Sequence, residues 1–229
     1  SVNGTTTVNV SDNAVVDGII AGGASRTDES GVKSSNINIS GGTLNGDVYA
    51  GGLKYSSVSG NTAVNISGGE INADVYGGGA VGTSVKGNST ISLSGSTAVI
   101  NGTLYGGGLN GGTVEGVKTL NLGTSEQAYK GTSALKVANF DKINVSAGST
   151  AQIESITQNL SGSILGTRTS IAKGGKLEVL GDVVNNITDA TNAGSLSFTT
   201  KTALITPTTP HTITAIMHAP ITPSHSALV

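Results

Sequence analysis

Asp47 and Asp74 are the residues whose type and spacing come nearest to chemistry. Each opens an Asp-Val-Tyr step, and they stand 27 positions apart. If that interval is one turn of a repeating structure, the two carboxylates fall on neighbouring strands, about 5 Å apart. A carboxylate pair at that separation suits a retaining glycosidase or a divalent cation. The surrounding residues argue against both uses. Each Asp precedes an inward-facing Val, so strand alternation turns it towards solvent, and the column continues into Gly18 on one side and Thr103 on the other. Asp47 and Asp74 therefore stand only as weak candidates for an incidental cation contact. No catalytic residue, metal ligand or cofactor is assigned.

Other chemistries find less support. Gly41-Gly-Thr-Leu-Asn-Gly-Asp47 superficially resembles the calcium nonapeptide of β-roll proteins, but Leu44 stands where that motif has Gly and the Asp comes one position late. Gly68-Gly-Glu-Ile-Asn-Ala-Asp74 departs further. A serine nucleophile needs a basic partner, and His211, His218 and His225 all lie in the last 24 residues, with no Gly-x-Ser-x-Gly elbow elsewhere. Pectate-lyase-like enzymes gather Asp, Arg and Lys on one face, whereas Arg26 and Arg168 sit in unrelated contexts. Tyr49, Tyr76 and Tyr105 would make a sugar-stacking platform if they faced outward; their phase favours a buried or corner column. Thr5-Thr6-Thr7 is a single threonine run, not the repeated rows of an ice-binding face. The chain is read as no enzyme.

These residues belong to a repeat. Val8-Asn-Val-Ser, Ile37-Asn-Ile-Ser, Val64-Asn-Ile-Ser, Ile91-Ser-Leu-Ser and Leu120-Asn-Leu-Gly recur at spacings of 29, 27, 27 and 29. Twelve positions after the first three starts come Ile20-Ala-Gly-Gly, Tyr49-Ala-Gly-Gly and Tyr76-Gly-Gly-Gly; Tyr105-Gly-Gly-Gly follows Ile91 by fourteen, which places a two-residue insertion within 94–104. Leu44 and Val48, Ile71 and Val75, and either Val99 or Ile100 with Leu104 lie between these anchors. Val58, Val85 and Val114 mark a third apolar point before Gly60, Gly87 and Gly116.

Each copy holds about three short stretches in which apolar and polar residues alternate. That is strand periodicity, not the 3.6-residue period of a helix. Glycine pairs and Asn-Gly steps supply the turns. One copy cannot pair both edges of three short strands, but stacked copies can, each strand lying parallel to its counterparts above and below. The spacing predicts a β-solenoid with coils of about 27–29 residues. Val8, Ile37, Val64, Ile91 and Leu120 form one internal aliphatic column, and Val10, Ile39, Ile66, Leu93 and Leu122 a second. Ile20, Tyr49, Tyr76 and Tyr105 form a third beside the glycine turns, while Asn9, Asn38, Asn65, Ser92 and Asn121 point outward. Propeller blades of about 40–50 residues fit this period poorly.

Composition agrees with an unusual surface. Of 229 residues, 35 are Gly, 11% are charged and none is Cys or Trp, so Ser, Thr and Asn must supply the polar exterior. That is the exterior of a protein outside the cytoplasm. Twelve Lys and Arg against fourteen Asp and Glu give a net charge of −2 with no basic cluster, which excludes nucleic acid as the expected partner. No run of about 18 apolar residues offers direct membrane insertion. Ser1, with no charged and apolar leader, reads as the start of an excised or processed segment.

Beyond Leu122 the repeat blurs, although 132–205 still alternates. One elongated solenoid is expected over 1–205, regular over about 7–122 and degenerate over about 123–205. All four Pro, all three His and the only Met fall within 206–229, which has no Gly and no charged residue. It reads as a linker, a cap, or a non-native tail.

Asn-Ile-Ser-Gly-Gly (38–42 and 65–69), Asp-Val-Tyr-(Ala/Gly)-Gly-Gly (47–52 and 74–79) and Leu-Tyr-Gly-Gly-Gly (104–108) resemble the passenger domains of bacterial autotransporters and related surface adhesins. Leu120-Asn-Leu-Gly and Phe140-Asp-Lys-Ile-Asn-Val-Ser-Ala-Gly resemble late passenger segments, and the likeness covers about residues 5–185. The resemblance implies a right-handed parallel β-helix displayed at, or released from, the bacterial surface. On that reading the chain is a stiff extracellular rod whose loops 24–35, 53–62, 80–90 and 109–119 meet a host-surface or glycan receptor or a neighbouring cell. The alternative is a filament subunit that self-associates end to end through the solenoid ends or the C-terminal strand. A polysaccharide-acting β-helix enzyme ranks behind both.

Overall fold

The computed structural model describes residues 2–23, 31–157, 168–180, 187–192, 194–198 and 205–206. Loop residues 24–30, with Arg26, and nearly all of the 206–229 tail lie outside the described residues. Among those described, every regular element is a strand, and every pairing between strands is parallel. The chain is a parallel β-solenoid.

Two sheets run along it. In the first, Val2–Val10, Gly31–Leu44, Thr62–Ile71, Ser89–Leu93, Lys118–Leu122, Lys142–Val145, Arg168–Ile171, Ile187–Asn192 and Ile205–Thr206 stack rung on rung. Val8, Ile37, Val64, Ile91, Leu120, Ile143 and Thr169 share one register column. Val10, Ile39, Ile66, Leu93, Leu122, Val145 and Ile171 share the next but one. From Ile37 onwards the aliphatic side chains are buried in one continuous core, with Thr169 also buried, because alternation points every second residue inward and like residues stack on one another.

The second sheet runs through Ile20–Ala21, Val48–Tyr49, Val75–Tyr76, Thr103–Tyr105, Leu135–Ala138, Thr150–Thr157, Lys176–Val179 and Ser195–Phe198. Here one expected column shifts. Ile20 pairs with Val48, and Ala21 pairs with Tyr49, so Ile20 belongs to the inward column of Val48, Val75 and Leu104 and not to the tyrosines. The first coil takes one residue more to reach this inward column and one fewer from it to the glycines. Core packing fixes the register, and the glycine turn yields. In the fourth coil, Ile100 pairs with Ile71 and is buried, while Val99 is exposed, which decides between the two.

A third, shorter stack carries Val32, Val58, Val85 and Val114 in a separate apolar cluster. It forms an arm on the regular coils. Where the arm joins the body, Ser35 donates to the Ala50 carbonyl, Thr62 to Gly77 (2.6 Å) and Ser89 to Gly106 (2.5 Å). These carbonyls turn away from the inter-coil ladder at the corner, and a buried hydroxyl satisfies each. The next residue in that column is Lys118, whose ammonium pairs with Asp141 at 2.8 Å. From there the chain passes from Leu135–Ala138 through Asn139 and buried Phe140 directly into Lys142–Val145, without an arm. Loss of the arm shortens the interval from Leu120 to Ile143 to 23 residues and makes the repeat blur, although strand pairing continues.

Candidate functional site

Asp47 and Asp74 sit side by side at the corner before the second sheet, half-buried instead of in open solvent. Their oxygens serve the stack. Asp47 Oδ1 accepts the Asp74 N–H (3.1 Å), and Asp74 Oδ1 accepts the Thr103 N–H (2.8 Å). Asp47 Oδ2 accepts the Tyr49 hydroxyl (3.1 Å), and Asp74 Oδ2 that of Tyr76 (3.3 Å). Each carboxylate thus binds the coil above it and the tyrosine of its own coil. Asn61 and Asn88 act in the same way at the arm, accepting the N–H groups of Asn88 and Val117.

Tyr49, Tyr76 and Tyr105 stack face to face, with centroids 4.8 and 4.7 Å apart and planes within 9° and 5°. They lie opposite the main core, under Leu53, Ala80, Val81 and Leu109 of the arm. Tyr49 and Tyr76 are buried, so they offer no platform to a sugar ring. Burial, then the hydrogen bond from Tyr49 to Asp47 and the nearby carboxylate charges, push the Tyr49 hydroxyl from 10.0 up to about 12. Burial and then the Asp74 charge raise Tyr76 likewise. Neither hydroxyl ionises near neutral pH, so neither is poised as a base or nucleophile.

The outward face of the first sheet is an amide ladder. Asn38 donates to Asn9, Asn65 to Asn38, Asn121 to Ser92 and Asn144 to Asn121, at 2.8, 2.9, 3.2 and 2.8 Å. A second ladder joins Asn45 to Asp17, Asn72 to Asn45 and Asn101 to Asn72. The expected loops are partly stacked: Ser57–Val58, Ser84–Val85 and Thr113–Val114 are paired strands, not free segments.

Lys142 and Arg168 were not identified from the sequence as neighbours. They pair across adjacent rungs of the outward face. Their 26-residue interval falls after the arm is lost, so the regular repeat gives no cue to it. No protein-family model, curated protein or solved structure matches the chain.

Proposed function

We propose that the chain is a stiff extracellular display segment of a bacterial surface protein, of the β-helical passenger or adhesin kind. The observation that carries this reading is the continuity of the parallel ladders from Val2–Val10 to Ile205–Thr206, clothed in amides and hydroxyls instead of charges. Nine rungs at ~4.8 Å give a rod of about 38 Å. The arms over 53–61, 80–88 and 109–117 project from one side and supply the contact surface. Beads coated with the protein should adhere to host or bacterial cells, and replacing the arm tips should reduce adhesion without lowering Tm by more than a few degrees. Adhesion no better than that of bare beads would refute the role.

A further inference from the structure

The outward face of the first sheet carries a groove that begins at its fifth rung. The groove, of about 420 Å³, opens over Asn121, Asn144, Ser146 and Ser170, walled by Thr124 and Ser125. Its wall exists because the chain makes a tight loop after Gly123. There Thr124 N–H donates to the Gln127 carbonyl (2.9 Å), Thr124 Oγ1 accepts the Gln127 N–H (3.0 Å), and buried Tyr129 anchors the return by donating its N–H to Ser149 Oγ (3.0 Å). The wall is held in place before any ligand arrives.

Two further features lie in or beside the groove. The amide ladder ends at Asn144, whose Nδ2 donates to Asn121 while its Oδ1 accepts from no described residue. On the same face, beside the groove and not among its lining residues, Lys142 and Arg168 stand on adjacent rungs two residues before Asn144 and Ser170. The preceding rungs place Thr7, Asn36, Ala63, Thr90 and Thr119 in that column, all uncharged. Like charges side by side on a sheet are unfavourable. Neither cation forms an ion pair among the described residues. Glu126 belongs to the wall loop but does not line the groove.

We propose that this groove binds an acidic saccharide, its carboxylate or sulfate held between Lys142 and Arg168 and its ring hydroxyls over Asn144, Ser146 and Ser170. Guanidinium and ammonium groups recognise such anions, and amide and hydroxyl side chains offer both the donors and the acceptors that sugar hydroxyls need. No aromatic side chain lines the groove for a base to stack on. The chain carries a net charge of −2, so its binding of anions is local and not a general basic surface. The site stands independently of the display role, since it needs only the folded chain.

Calorimetric titration of the full chain with a tetragalacturonate, a sulfated heparin-type hexasaccharide and neutral maltohexaose tests it. One acidic probe should saturate at one site per chain, weaken as salt rises, and bind about tenfold tighter than the neutral sugar. The double variant Lys142→Gln/Arg168→Gln should lose about tenfold in affinity, and Lys142→Arg/Arg168→Lys should keep most of it. Lys86→Gln, remote and exposed, should bind as the parent does. Failure of both acidic probes to saturate at millimolar concentration, equal binding of maltohexaose, or equal binding by the well-folded double variant overturns the proposal. Equally tight binding of single-stranded DNA would reduce the site to a general anion contact and overturn it as well. Bead adhesion is measured separately, so loss of one result leaves the other standing.

Discussion

Asp74 acts through its acceptors. Asp74→Asn keeps Oδ1 for the Thr103 N–H and turns Nδ2 into a donor to the Tyr76 hydroxyl oxygen, so it should change stability by less than about 0.5 kcal/mol, whereas Asp74→Ala strands both donors and should cost about 1–2 kcal/mol. Added calcium should leave the melting temperature of the parent unchanged; a calcium-dependent rise abolished by Asp74→Asn would restore the cation reading. The tyrosines set an alkaline limit. Tyr49 and Tyr129 have folded values near 12 against 10.0 when unfolded, Tyr129 through burial alone. A group raised on folding contributes its stabilisation fully below the unfolded value and loses it as pH climbs through the folded one. Stability should therefore fall between pH 10 and about 12. The phenolate absorbance of Tyr49 and Tyr129, read as the difference from Tyr49→Phe and Tyr129→Phe variants, should rise together with loss of the β-sheet circular dichroism signal, not before it. Tyr55 is strained, at φ 41° and 61% exposed. Tyr55→Asn should stabilise by about 0.5–1 kcal/mol in chemical denaturation, because Asn tolerates the left-handed region.

The corner between body and arm depends on hydroxyls that strand patterning hides. Thr62 is buried and donates to Gly77, so Thr62→Val leaves that carbonyl unpaired and should cost about 1–2 kcal/mol. Thr90 lies on the outward face, and Thr90→Val should shift the urea midpoint little. The glycine corners are as strict. A Cβ on Gly78 would meet the Gly108 nitrogen at 2.8 Å, backbone that cannot step aside. What was legible in the sequence follows from the same physics. Ile37, Val64 and Ile91 were readable because an inward aliphatic must recur wherever coils stack, and nothing else in the chain competes for that phase. Ile20 was misplaced because glycines mark a turn but do not fix a register. Lys142 and Arg168 could not be brought together from spacing alone, since the register intervals along this sheet change from 27–29 residues to 23 and then 26. Asp47 and Asp74 were found as a pair, but the donors that occupy them are backbone groups that no motif displays.

At the scale of the whole chain, every coil is held by the ones on either side, so stability is a sum of like interfaces and not the property of one centre. The amide ladders make the outer faces part of that interface, which is why a surface so poor in charge remains ordered around its core. A break anywhere should propagate along the rod, while the arms can vary only at exposed positions away from the apolar residues that cover the tyrosine stack. The most direct test is the separation between spin labels placed along one column, at Asn9→Cys with Ser92→Cys and at Asn9→Cys with Asn144→Cys. These pairs lie three and five rungs apart, so the backbone separations should be about 14 and 24 Å and grow by the same ~4.8 Å step. Separations that are broad, or that do not increase in proportion to rung number, would contradict the stacked parallel solenoid.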